Sequence, residues 1–264
     1  MVPTGSIISM AVSAVVGIAV PILMAWWLVK KHQVRVTPIL VGAGVFVLFA
    51  LVLEPLVHKA VLGGTCGVTI MGNVWYYALY GGLMAGLFEE TGRFLAMKFV
   101  LKKEPGTAKT GLGYGIGHGG TEMILLFGLT MISNLVLSIM INSGQSDVIL
   151  SSTPAEAQEQ LQGQFAQLET LGPGLLLIGL WERISALILQ LGLSLMVWTA
   201  VRRGGKWLWL YPAAISLHFL VDAVAVILSK SATPAAVETI IFALAIAVGT
   251  IGYKVSCNLS QNNG

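Results

Sequence analysis

Residues 39–62 read ILVGAGVFVLFALVLEPLVHKAVL, and this apolar run decides the class of fold. Its only ionisable side chains are Glu54, His58 and Lys59, and the last two stand close to the end of the run. A helix of this length rises about 36 Å at ~1.5 Å per residue, whereas the hydrocarbon core of a bilayer is about 30 Å thick. The run therefore predicts a helix that crosses a membrane.

Six further runs along the chain have a similar apolar character. They cover residues 7–29, 73–101, 111–142, 174–200, 207–229 and 235–254. Of the 264 residues, 56% are hydrophobic and only 10% are charged, whereas soluble domains contain about 25% charged residues. These features predict an all-α, multi-pass protein of the cell membrane, in which residues 1–264 form a single domain of seven transmembrane helices. The basic residues cluster in short loops, which argues against a nucleic acid as a partner.

The basic residues are divided unequally between the two sets of loops. The loops after the first, third and fifth runs, with the segment after the seventh, contain ten of them: Lys30, Lys31, Arg35, Lys102, Lys103, Lys109, Arg202, Arg203, Lys206 and Lys254. The alternate loops contain only Lys59 and Lys230. Because cytoplasmic loops of membrane proteins are enriched in lysine and arginine, this distribution predicts that the N-terminus is outside and the C-terminus inside.

One loop, residues 143–173, is long and contains acidic residues but no lysine or arginine. Leu161, Phe165, Leu168 and Leu171 recur within it at helical spacing. The pattern predicts an amphipathic helix in this outer loop, lying over the mouth of the bundle or on the lipid. A solvated connector is the alternative interpretation.

Nine ionisable side chains lie well inside the apolar runs, where a charge at the bilayer centre costs about 2.5–3.5 kcal/mol. They are Glu89, Glu90, Arg93, His118, Glu122, Glu182, Arg183, His218 and Asp222. Counted at ~1.5 Å per residue from the nearest inner basic residue, Glu89, His118 and His218 lie about 20, 14 and 18 Å deep, near mid-membrane. The same count places Glu182 and Arg183 at the outer boundary, so we predict that they form a structural pair there.

The mid-membrane groups share a spacing of four residues. EETGR (89–93), HGGTE (118–122) and HFLVD (218–222) each begin and end with an ionisable side chain. Residues four apart lie on the same face of a helix. Three such pairs at one depth predict a single polar cavity between three helices. The glycines around His118 would allow these helices to approach closely, or they reflect ordinary small-residue packing.

Two imidazoles and several carboxylates suit two related chemistries. They are usual ligands of a zinc site with an open position. They also suffice to activate water without a metal, with a glutamate as general base and histidines that stabilise the oxyanion. Both chemistries predict hydrolysis of an amide bond inside the bilayer. The sequence contains no HExxH or GxSxG motif, and Asp222 is the only aspartate within the runs. A zincin, a serine hydrolase and an aspartyl dyad are thereby excluded.

The three motifs, on the third, fourth and sixth predicted helices, resemble those of the YhfC family of intramembrane metalloproteases. That family is distantly similar to the PrsW proteases, to the CAAX prenyl endopeptidases and bacteriocin-processing enzymes, and to the anterior-pharynx-defective subunit of γ-secretase. The resemblance covers nearly the whole chain. It implies a peptidase whose substrate is a membrane protein or a lipidated peptide.

The resemblance also implies roles for individual residues. Glu89 would be the general base that activates water, Glu90 would support it, and Arg93 would hold the acidic pair. These are the catalytic residues that the resemblance predicts.

The same resemblance implies a group of metal ligands. His118 and His218 would be metal ligands or oxyanion donors. Glu122 and Asp222 would be further ligands, with zinc as the metal. Asp222 stands where the prenyl endopeptidases have asparagine, and a carboxylate suits metal ligation better than oxyanion stabilisation.

Two other functions are compatible with polar residues in these helices. A non-catalytic scaffold or immunity-type membrane protein would use the polar pairs as direct hydrogen bonds between helices. A proton-coupled transporter would use them as a proton relay. The role of Glu54, which precedes Pro55 inside an apolar run, is likewise open between a helix kink and the polar layer.

Overall fold

The computed structural model describes residues 1–259, except for the side chain of Asn258, and this part of the chain is helical with no strand. The α-helices are α1 (Thr4–His32), α2 (Val36–Val45), α3 (Glu54–Leu62), α4 (Thr65–Met71), α5 (Val74–Leu95), α6 (Ala108–Glu122), α7 (Leu129–Asn142), α8 (Ser146–Ser152), α9 (Ala155–Thr170), α10 (Pro173–Arg203), α11 (Leu210–Leu228) and α12 (Pro234–Ser256). Short 3₁₀ turns occupy Leu101–Lys103, Gly205–Trp209 and Cys257–Leu259.

Six helices within residues 1–259 are long and apolar enough to cross a membrane, which confirms the prediction of an all-α, multi-pass membrane protein. They are Thr4–His32, Val36–Leu62, Ala108–Asn142, Pro173–Arg203, Gly205–Leu228 and Pro234–Ser256. The run predicted at 73–101 is helical as α5 and a following π-helical segment, but it is not among the six. The seventh span and the orientation of the termini therefore stay predictions.

Three π-helical segments interrupt the long helices next to ionisable side chains. Phe46–Leu53 ends immediately before Glu54, and Met123–Gly128 begins immediately after Glu122. The third segment, Ala96–Val100, follows the end of α5. A π segment rotates the residues beyond it relative to a regular helix, and such segments often occur at functional sites. The faces presented by these helices consequently differ from those of ideal helices.

The chain divides into two compact units by its internal contacts, and the prediction of a single domain stays a prediction. Unit 1 consists of Met1–Val20 and Met123–Arg183. In its apolar core, Phe165 and Leu168 of α9 are buried together with Met10 and Phe127. These two side chains belong to the apolar face predicted for the 143–173 segment. The position of α9 on the outer surface is untested.

Unit 2 consists of Pro21–Glu122 and Ile184–Gly264, of which the structure describes residues to 259. Here α5 is capped by Asn73, the residue before its start, whose side-chain oxygen accepts hydrogen bonds from the backbone N–H groups of Trp75 and Tyr76. α5 packs along α11, and α2 packs along α6. A Cβ added at Gly82 of α5 would lie 2.7 Å from the Phe219 carbonyl oxygen. The α5–α11 contact therefore requires glycine at this position.

Candidate functional site

Four helices of unit 2 bring their polar side chains together. α5 supplies Glu89, Glu90 and Arg93, α6 supplies His118 and Glu122, α10 supplies Gln190, and α11 supplies His218 and Asp222. Every residue that the sequence predicted as catalytic or metal-binding is thus located in this one unit. We call this set of eight side chains the polar cluster.

The inner part of the polar cluster is an ion pair within α5 that extends to α11. Arg93 Nη1 donates to both carboxylate oxygens of Glu90, at 2.6 and 2.7 Å, and neither side chain is exposed. Glu90 Oε1 also lies 3.0 Å from His218 Nδ1. On the other side of the ring, His218 Nε2 lies 3.5 Å from Asp222 Oδ2. Two carboxylates therefore flank His218.

Glu89 belongs to a separate set of contacts. Its Oε2 atom lies 2.9 Å from His118 Nε2 and accepts a hydrogen bond of 2.8 Å from the Gln190 side-chain amide. Because an ionised carboxylate only accepts, His118 donates through Nε2 in this contact. The side chain of Glu89 is 10% exposed, whereas that of His118 is fully buried. No described residue donates a hydrogen bond to Glu89 Oε1, which leaves this oxygen available to a water molecule.

Gln190 connects the two sets of contacts, and the sequence analysis missed it. Its amide nitrogen donates to Glu89 and also to Glu122 Oε2, at 3.1 Å, while its oxygen accepts from Arg93. One amide therefore bridges α5, α6 and α10. Gln190 was missed because it is not ionisable, although an amide in an apolar run is itself a detectable signal.

The remaining predicted residues have different environments. Asp222 is more accessible than its partner His218, with 36% of its side chain exposed against 4%. Glu182 and Arg183 form an ion pair with each other in unit 1, as predicted for a structural pair, although their place at the membrane boundary is untested.

Glycines of α6 allow the polar cluster to form. A Cβ added at Gly119 would lie 2.8 Å from the Cβ of Gln190, and one added at Gly117 would lie 1.9 Å from the Ile39 carbonyl oxygen. Both distances are shorter than real Cβ contacts. These glycines therefore bring α6 against α2 and α10, on either side of His118.

The donor groups of the polar cluster do not fit a metal centre in this arrangement. Within residues 1–259, no group of three or more histidine, cysteine, aspartate or glutamate side chains could hold a metal ion. The imidazoles and carboxylates bind each other instead of converging on one point. The buried Nδ1 atom of His118 has no hydrogen-bond partner among the described residues, but its ring lies beside the rings of Phe46 and Tyr114. We therefore derive no step that uses zinc.

Comparison with known proteins gives two matches. A family model described as "YhfC intramembrane metalloprotease" matches residues 16–246. The chain is also 37% identical, over 248 residues, to a Bacillus subtilis (strain 168) protein called "Uncharacterized membrane protein YhfC". That alignment covers 93% of this chain and 94% of the Bacillus protein. No solved structure matches the chain.

Proposed function

We propose that this chain, which belongs to the YhfC intramembrane metalloprotease family, is an intramembrane peptidase. In this proposal its substrate is a membrane protein or a lipidated peptide, and Glu89 activates the water that cleaves one peptide bond. The family name supports the class of reaction. The arrangement around Glu89 supports the choice of base.

The single observation that carries the proposal is that the two carboxylate oxygens of Glu89 differ in their hydrogen-bond partners. His118 and Gln190 both bind Oε2, so they fix the carboxylate from one side. Oε1 is left without a donor among the described residues, on a side chain that is partly accessible. A general base needs this combination of fixed orientation and a free acceptor within hydrogen-bond reach of water.

The proposed reaction uses the side chains as follows. A water molecule donates to Glu89 Oε1 and transfers a proton to it, while the water oxygen forms a bond to the carbonyl carbon of the substrate and the π electrons of the C=O bond move to the carbonyl oxygen. The C=O bond then re-forms as the C–N bond breaks, and Glu89 returns the proton to the leaving nitrogen. His118 and Gln190 are positioning residues that hold the carboxylate during both transfers. The Arg93–Glu90 pair fixes the adjacent turn of α5.

A second candidate function is a non-catalytic membrane scaffold, and one observation favours it. The ionisable side chains bind one another directly between helices: Glu89 binds His118, and Glu90 binds His218. Hydrogen bonds of this kind also serve to join membrane helices. A scaffold needs these contacts for stability but does not need the free Oε1 of Glu89.

The proposed function is tested by comparing cleavage in cells that express the wild type, Glu89→Gln and Glu182→Gln. New N-termini that arise within membrane segments are identified by mass spectrometry. Glu89→Gln keeps the size of the side chain and its acceptor oxygen but cannot take up the proton. Glu182→Gln is the matched control, because Glu182 lies outside the polar cluster.

We expect products that disappear in Glu89→Gln and persist in Glu182→Gln. Identical products in all three strains would contradict the peptidase. A loss of thermal stability in Glu89→Gln, without any product in the wild type, would support the scaffold.

A further inference from the structure

A second group of polar side chains, which neither the motifs nor the proposed reaction uses, lies on α3 and α5. His58 Nε2 lies 3.0 Å from Glu54 Oε1, and His58 Nδ1 lies 2.9 Å from the Tyr80 hydroxyl. With a neutral imidazole and an ionised Glu54, Tyr80 donates to His58, and His58 donates to Glu54. The three side chains therefore form a continuous hydrogen-bonded row, which we call the Glu54 row.

The Glu54 row leads toward the polar cluster. α5, which carries Glu89, packs against α3 and against the π segment Phe46–Leu53 that ends immediately before Glu54, so the two carboxylates are close enough to interact electrostatically. No hydrogen bond joins Glu54 to Glu89 among the described residues, and two ionised carboxylates cannot donate to each other. A water molecule can join them, because it can donate to two carboxylates at once.

Accessibility falls along the Glu54 row toward the polar cluster. The side chain of His58 is 31% exposed, that of Glu54 is 11% exposed and that of Glu89 is 10% exposed. The end of α3 at Leu62 lies about 6 Å from His58 and about 12 Å from Glu54 along the helix axis. The row therefore runs from one end of α3 into the polar cluster.

Hydrolysis in a membrane needs a supply of water, because each cleaved peptide bond consumes one molecule and the hydrocarbon core contains almost none. Three of the four helices that supply the polar cluster, α6, α10 and α11, belong to helices apolar and long enough to cross a membrane. We propose that Glu54, His58 and Tyr80 line the path by which water reaches Glu89 from the membrane face at which α3 ends. By the predicted orientation this is the outer face. The inference rests on the proposed function.

Exposed leucines adjoin the Glu54 row on both of its helices. Leu56 lies between Glu54 and His58 in the sequence, but it is 61% exposed and makes no part of the row. On α5, Leu79 is 49% exposed and adjoins Tyr80. These leucines are exposed at nearly the same height along their helix axes as the row. They therefore provide depth-matched controls on both helices.

The test is the reaction of introduced cysteines with a membrane-impermeant methanethiosulfonate reagent. His58→Cys and Leu56→Cys are each placed in a background in which Cys66 and Cys257 are serine. The reagent is added to intact cells, and to inverted vesicles for the opposite face. Because only a hydrated thiol ionises and reacts, we expect His58→Cys to react in intact cells roughly tenfold or more faster than Leu56→Cys.

Equal rates at the two positions, or reaction of His58→Cys only in inverted vesicles, would overturn the water path. If His58→Cys does not fold, Tyr80→Cys reports on the same path, with Leu79→Cys as its control. The measurement does not depend on cleavage. A reactive row in a protein that cuts nothing would therefore contradict the proposed function, while an unreactive row in an active peptidase would contradict only the path.

Discussion

Loss of the Arg93 side chain should lower the stability of the protein strongly. It is fully buried and donates to both oxygens of Glu90 and to Gln190. A hydrogen bond to a charged group contributes about 1.5–3 kcal/mol, but such contributions are not additive. Removing one partner of a buried ion pair costs about 3–5 kcal/mol, because the other charge stays buried and unpaired. We therefore expect Arg93→Met to lower the free energy of unfolding by about 3–5 kcal/mol.

The assay is unfolding of the purified protein in mixed micelles, followed by circular dichroism. Arg35→Met is the matched control, because the Arg35 side chain is 64% exposed and lies 3.6 Å from Glu104, so its loss should cost less than the loss of one partner of a fully buried ion pair. The double variant Glu90→Gln with Arg93→Met should recover about 0.5–3 kcal/mol of the loss. The reasoning is refuted if Arg93→Met costs no more than Arg35→Met, or if the double variant shows no recovery.

Three further predictions concern packing and buried hydrogen bonds. Gly82→Ala should destabilise the protein by about 1–3 kcal/mol, because its Cβ would meet the α11 backbone. Gly81→Ala should not destabilise it, because a Cβ at Gly81 has no neighbour within 4 Å. Thermal unfolding of the two variants tests the difference. Phe165→Ala should lower the free energy of unfolding by about 3–5 kcal/mol and expose α9 to limited proteolysis. If α9 stays as resistant to proteolysis as in the wild type, the burial of Phe165 is contradicted. Gln190→Leu leaves buried polar groups unpaired and should cost at least about 1–3 kcal/mol in chemical unfolding, and a neutral result would count against its bridging role.

The class of fold followed from the apolar runs because the cost of exposed backbone in lipid permits few alternatives to helices. The run at 39–62 corresponds to the membrane-length helix Val36–Leu62. The helix boundaries at the π segments could not be predicted, since no residue pattern marks them. The short α8 was likewise missed, because Ser146–Ser152 has no clear apolar face.

The spacing of four residues identified the correct helix faces but not all of the partners. Glu89 and Arg93 are four residues apart, yet Arg93 binds Glu90, three residues away, and Glu89 binds His118 on another helix. Spacing within one helix allows both pairings. The choice depends on how α5 is rotated relative to its neighbours. Contacts such as the one at Gly82 determine this rotation, and a single sequence does not show them.

The most direct test of the central claim is the source of the oxygen in the new C-terminus. A substrate identified by its cleavage products is incubated with the purified protein in liposomes, in water labelled with a heavy oxygen isotope. We predict that the wild type incorporates one labelled oxygen into each new carboxyl group, and that Glu89→Gln yields no product. Labelled product formed by Glu89→Gln at the wild-type rate would contradict the role of Glu89 as the base.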